Sequence, residues 1–280
     1  MTLMFPARKR VACIHVALAA NGDSSYRDAL HIAQLAHKLW RADCTVITDR
    51  ESLVVPGARI GYVQDASLLL RFVADSVYRQ SPESDILFVM SSHGYSAGVH
   101  QFVTLNGVKV TDVDLGRAVY VNMHQSSLSL CLLDTCHSGT LLDLRHHTSI
   151  DALSITSIPC SVAVSGQNAL SIAIGACADQ ESSEEGISTA GGWGGGLIAE
   201  FLDAFPSADV DNKLDGKETK QLDVVSFFAN IHNKFTHKTI IPGNLIGDRR
   251  QHPIMSFTAR AADTFDIPST LLRAIKGRGR

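Results

Sequence analysis

Short apolar runs that stop at turn chemistry, with helical periodicity between them, constrain this chain more than any other feature. Strands are predicted at about 10–19, Cys44–Thr48, Ile86–Met90, Leu128–Leu133 and Leu170–Ala176, each short, mostly apolar and bounded by polar or turn residues. Leu30, Ala33, Leu35, Ala36 and Leu39 predict a helix reaching about Trp40, and Leu68, Leu69, Phe72, Val73 and Val77 predict another over Asp65 to about Arg79. The resulting β-α-β-α-β order predicts an α/β fold with a mainly parallel sheet and helices on its faces.

The rest of the chain reads in the same way. Residues 1–9 read as a short frayed lead. Arg8-Lys-Arg10 before Val11–Ala20 imitates a secretion signal, but His15 interrupts the run and the sheet needs it as a first strand. The Asn106-Gly107 pair inside Phe102–Val110 predicts a hairpin, and Thr111 or Asp112 caps a following helix. The segment after His147, up to Gln167, carries no clear pattern. Gly191–Gly196 reads as a flexible loop into a helix over 197–205, residues 206–220 as a charged loop, and 221–235 as a helix.

Two strand ends carry chemistry. Ile86–Met90 leads into Ser91-Ser-His-Gly94, and Leu128–Leu133 leads into Asp134-Thr-Cys-His-Ser-Gly139. Ligands of open α/β sheets gather at the carboxyl ends of the strands. If the two strands are parallel neighbours, His93 and Cys136 emerge at one edge and can face one substrate. A thiol needs a base or electrostatic partner to act as thiolate near neutral pH. His137 adjoins Cys136, but successive residues point apart, so it is a poor partner. By residue chemistry alone, Asp134 reads equally as a strand-end cap and Asp28 as a first-turn helix acid.

The Ser-Ser-His-Gly and Asp-Thr-Cys-His-Ser-Gly elements together resemble the metacaspases, in the caspase–metacaspase superfamily of cysteine peptidases. The resemblance covers about Arg10 to Phe257, and the Gln-Ala-Cys of animal caspases is not found. It implies a caspase-like three-layer α/β/α sandwich spanning 10–260, large-subunit-like over about 10–150 and small-subunit-like over about 168–260, with a basic tail at 261–280. It implies that Cys136 is the nucleophile, that His93 protonates the leaving amine, and that the N–H groups of Gly94 and Cys136 hold the oxyanion. It also implies that Asp28, Ser91 and Asp134 line a pocket for the side chain before the cleaved bond (P1). Ser25 stands where the family often has cysteine, at that pocket's wall. Two converging carboxylates demand Arg or Lys at P1, Arg being held best by its planar fork.

The resemblance further implies calcium ligands at Asp112 and Asp143, and no other cofactor. Val113 breaks the usual acidic pair and 95–107 holds no acid, so the same residues read equally as a helix cap and solvated carboxylates. Self-cleavage is expected at basic residues in polar stretches: Arg145, Lys213, Lys217 and Lys220. A formal net charge of −3 excludes a general nucleic-acid binder, and no apolar run is long enough to span a membrane. Six cysteines without CxxC spacing suit a reducing, cytoplasmic compartment. The expected partners are protein or peptide substrates with a basic P1, acted on by a monomer. The rival reading is a non-proteolytic caspase-like scaffold, and a second is a related peptidase with another P1 preference.

Overall fold

The computed structural model describes residues 4–5, 10–18, 24–97, 100–148, 154–157, 170–179, 181, 185–188, 192–205, 222–236, 251–258 and 261. The chain opens with β1 (Met4–Phe5), β2 (Arg10–Ala17), α1 (Ser24–Trp40), β3 (Asp43–Thr48), β4 (Ala58–Tyr62), α2 (Ala66–Gln80) and β5 (Ser84–Ser91). It continues through β6 (Gly94–Ala97), β7 (His100–Leu105), β8 (Val108–Thr111), α3 (Asp112–Tyr120), β9 (Leu128–Asp134), β10 (His146–Thr148) and β11 (Ile155–Ser157). The described elements end with β12 (Leu170–Gly175), β13 (Glu185–Ser188), β14 (Gly192–Gly195), α4 (Gly196–Asp203), β15 (Leu222–Asp223), α5 (Val224–Thr236) and β16 (Ile254–Phe257).

The fold is α/β around one large sheet, ordered β11-β10-β16-β12-β9-β5-β2-β3-β4. The six strands from β12 to β4 run parallel; β16 joins β12 antiparallel, and β10 and β11 extend that side. The central strands carry apolar residues on both faces because helices cover both. Cys13, Val89, Leu130 and Leu132 pack with Ile32 of α1, Phe201 of α4 and Phe228 of α5. Ile14, Phe88, Met90 and Leu133 pack with Val73 of α2 and Val119 of α3. Each such buried side chain contributes roughly 1.5–3 kcal/mol of transfer free energy.

Local chemistry accounts for the element ends. Asp65 caps α2 by accepting the Leu68 N–H at 2.8 Å, and Thr111 caps α3 by accepting the Asp114 N–H at 3.2 Å. The hairpin turn forms at Asn106 and Gly107, both at positive φ (51° and 78°), as the sequence predicts.

Several expectations are corrected. Met4–Phe5 is not frayed: it pairs antiparallel with Leu222–Asp223, so α5 starts at Val224 rather than 221. Gly192–Gly195 is not a loop but a strand paired with Glu185–Ser188, running directly into α4. Ala58–Tyr62 forms the far edge strand and Gly94–Ala97 adds a third strand to the predicted hairpin; neither carries an apolar run of its own. β10 begins at His146, just before the patternless segment, which supplies β11. Residues 206–220 and the tail beyond 261 lie outside the described residues. No described helix is long and apolar enough to cross a membrane.

Candidate active site

β5 and β9 are parallel neighbours, with Ser91 directly opposite Asp134 at their carboxyl ends. His93 and Cys136 each stand two residues further along, so both leave the sheet at the same edge and the same level. The segments also touch. A methyl group on Gly94 would collide with the Cys136 carbonyl oxygen and lie 2.9 Å from Thr135 Oγ1, which donates to that carbonyl at 3.0 Å. Only glycine lets the His93–Gly94 peptide lie this close to the Cys136 peptide. His93 is exposed and Cys136 half-buried, whereas Cys13, Cys44, Cys131 and Cys177 are buried.

The turn holding Cys136 is fastened by the segment after β12. His137 adopts left-handed backbone geometry (φ 55°), uncommon for a residue with a side chain. Its N–H donates to the Glu181 carbonyl at 3.0 Å and its Nδ1–H to the Asp179 carbonyl at 2.6 Å. A carbonyl only accepts, so the Nδ1 proton is assigned by this bond, and the ring is committed to the turn. Glu181 is anchored in turn: Oε2 accepts the N–H groups of Ala178 (3.2 Å) and His252 (2.9 Å), and Oε1 meets His252 Nδ1 at 2.6 Å. Cys177 Sγ donates to the Glu181 carbonyl at 3.2 Å, and burial pushes its thiol up to about 12, so it stays protonated.

The predicted pocket residues share one sheet face. Leu87 and Val89 lie on the α1–α4 side, so Ser91, next in the alternation, does too. The same alternation carries Leu130 and Leu132 to Asp134. Asp28 and Ser25, one turn apart on α1, lie on that helix's buried side with Ala29 and Ile32. Asp28 and Asp134 are 3% and 5% exposed, a burial that carboxylates tolerate only with partners. Both converge on the start of α4. Asp28 Oδ2 accepts the Gly195 N–H at 3.3 Å, and Asp134 Oδ2 accepts the Ile198 N–H at 2.8 Å. A methyl group on Gly195 would collide with the Asp134 carboxylate. Asp134 therefore does cap a helix, but one more than sixty residues away in the chain.

Sequence reasoning missed two parts of this cluster. Gly195 was hidden in a run of glycines. His15 of β2 is fully buried on the same face, and its Nε2 lies 2.9 Å from Ser91 Oγ. Burial drives its imidazole down to about 3, so it is neutral at ordinary pH. Its signal was visible as a histidine in the middle of an apolar strand.

Both predicted calcium acids, Asp112 and Asp143, are buried. Asp112 Oδ1 accepts the Val113 N–H at 2.8 Å and Oδ2 the Gln101 N–H at 3.2 Å, with His100 Nδ1 at 3.4 Å from Oδ1. Asp143 is buried in left-handed geometry (φ 51°), its N–H bound to the Thr140 carbonyl at 2.7 Å. Among the described residues no group of three His, Cys, Asp or Glu side chains could hold a metal ion. Asp179, whose carboxyl burial holds above its ordinary range against two bonds from Thr140, also interacts electrostatically with Asp112. Of the self-cleavage candidates, Arg145 is exposed just before β10; Lys213, Lys217 and Lys220 lie outside the described residues.

No protein-family model matches the chain, and no curated protein matches it significantly.

Proposed function

We propose that this chain is a caspase-like cysteine endopeptidase that cleaves after Arg or Lys, with helices layered on both faces of its sheet. The observation that carries the reading is the pairing of Ser91 with Asp134, which sends His93 and Cys136 off adjacent parallel strands at one level, with Gly94 packed on the Cys136 carbonyl. In the reaction, Cys136 Sγ attacks the scissile carbonyl. His93 transfers a proton to the leaving amine, which departs as the thioester forms. The proton so transferred is the one that Cys136 gave up to His93 on attack; water then adds its OH to the thioester carbonyl and its second proton passes through His93 to the departing sulfur, releasing the carboxylic acid and restoring the thiol. The N–H groups of Gly94 and Cys136 hold the oxyanion, each such donor being worth about 3–4 kcal/mol in the transition state. Asp28, Asp134 and Ser91 receive the basic P1 side chain, with Ser25 at the wall. No step is routed through calcium.

A second reading has its own support. The carboxylates of Asp28 and Asp134 accept main-chain N–H groups at the start of α4, which is what a scaffold without a peptidase pocket would use them for. Fluorogenic peptides with Arg, Lys or Asp at P1, offered to the wild type and Cys136→Ala with EDTA or with calcium, separate the two. Turnover of the basic peptides that disappears in the variant supports the peptidase, and the EDTA arm reads calcium dependence. Silence in every arm favours the scaffold; a preference for Asp sinks the pocket assignment. Mass spectrometry of both proteins tests self-cleavage at Arg145, Lys213, Lys217 and Lys220, and intact chains throughout would exclude it.

A further inference from the structure

His15 is an expensive residue in its setting. β2 is otherwise apolar from Val11 to Ala17, and His15 is completely buried. One ring nitrogen, Nε2, meets Ser91 Oγ at 2.9 Å; the other, Nδ1, has no hydrogen-bond partner among the described residues. A half-satisfied buried imidazole costs stability that valine or leucine would not, and such a group calls for an explanation. The mechanism above does not use it.

Its one bond explains its presence. Ser91 stands opposite Asp134 in register, at the last position of β5. A serine hydroxyl otherwise chooses among three rotamer wells. The Nε2 contact selects one. In either tautomer Ser91 Oγ retains a lone pair for a ligand: it donates to Nε2 or accepts from it, and one acceptor site remains. The ring stays uncharged at neutral pH, so it does not repel a bound cation.

Resting on the reading of Asp28, Ser91 and Asp134 as a pocket for a basic side chain, we infer that His15 is a positioning residue of that pocket, fixing the Ser91 hydroxyl where it meets the tip of an arginine and so favouring arginine over lysine. A guanidinium presents five donors in a rigid plane, and two carboxylates leave some of them over. A fixed neutral oxygen beside the carboxylates takes one of these. The three donors of an ammonium rotate freely onto the carboxylates and gain less from it.

The test is steady-state kinetics on matched Arg-P1 and Lys-P1 peptides. His15→Leu removes the bond and keeps the strand apolar. Losing one hydrogen bond should raise KM for the Arg peptide about fivefold at nearly constant kcat. The Lys peptide should change less than about twofold, so the Arg:Lys preference falls. His15→Gln, whose amide reaches toward the position of Nε2, should restore the preference. Ser91→Ala should match His15→Leu, and the double variant should add nothing further. If His15→Leu does not fold, His15→Asn, too short to reach Ser91, must show the same loss of preference. An unchanged Arg:Lys ratio in an active enzyme overturns the inference and leaves the P1 reading standing. An equal fall in kcat for both peptides, not rescued by glutamine, shows a structural role only and also overturns it. A wild type that turns over neither basic peptide overturns the P1 reading, and the inference with it.

Discussion

Replacing Gly195 by alanine tests whether the start of α4 is built around the Asp134 carboxylate. The backbone at Gly195 (φ −64°, ψ 140°) suits any L-residue, so alanine meets no conformational strain there. Stiffening the unfolded chain would by itself stabilise by about 0.4–1 kcal/mol. The added methyl, however, collides with a buried carboxylate that also accepts the Ile198 N–H at 2.8 Å. Moving the carboxylate aside gives up a charged hydrogen bond, worth roughly 1.5–3 kcal/mol, and overpacking adds about 1 kcal/mol or more. The net expectation is a loss of about 2–3 kcal/mol, which at roughly 2 °C per kcal/mol for a chain of this size lowers Tm by about 4–6 °C. Thermal unfolding followed by circular dichroism reads this directly. The decisive control is the same substitution in an Asp134→Ala background, where the three atoms nearest the methyl are gone and the loss should shrink markedly. Equal Tm losses in both backgrounds, or no loss in the wild type, would refute the argument.

Three further outcomes follow from individual sites. His15 has a folded-state pKa of about 3 against an ordinary 6.5, so the unfolded chain binds the extra proton first; stability is present above 6.5 and is lost as pH falls toward 3, and His15→Gln should flatten urea-midpoint curves over that window. The raised Asp179 carboxyl opposes this, folding being favoured as pH drops through its range, so the comparison must be made against the wild type at each pH. Native alkylation with iodoacetamide, mapped by peptide mass spectrometry, should label half-buried Cys136 before Cys13, Cys44, Cys131 or Cys177; prior labelling of any of those four contradicts the burial described. Gly94→Ala should lower activity by at least a hundredfold if the peptidase reading holds, because its methyl strikes the fixed Cys136 backbone rather than a movable side chain; near-normal kcat would refute the close approach.

The central strands and the motif at their ends were legible because both rest on local chemistry. β2, β5, β9 and β12 are covered by helices on both faces, so their residues are mostly apolar and their ends coincide with polar turns. Where the sheet meets its margins, local pattern fails. Ala58–Tyr62 keeps Arg59 and Ile60 exposed, and β10 and β11 are three residues each; such strands exist through the neighbour they pair with. Strand β14 is three glycines and one tryptophan, too few side chains to form a pattern, and it exists through its pairing with β13.

At the candidate site, the sequence by itself determined which residue types are on offer: a cysteine, a histidine, two carboxylates and a serine, with the cysteine and histidine just past strand ends. Only the tertiary structure decided that β5 and β9 are neighbours in a register that puts Ser91 against Asp134. It also decided that Asp28 and Asp134 meet at Gly195, and that a histidine from a third strand holds the serine. Periodicity states which face a residue occupies, because that depends on the few residues beside it. Which residues face one another depends on strand order and register, and these are set by the packing of the whole chain.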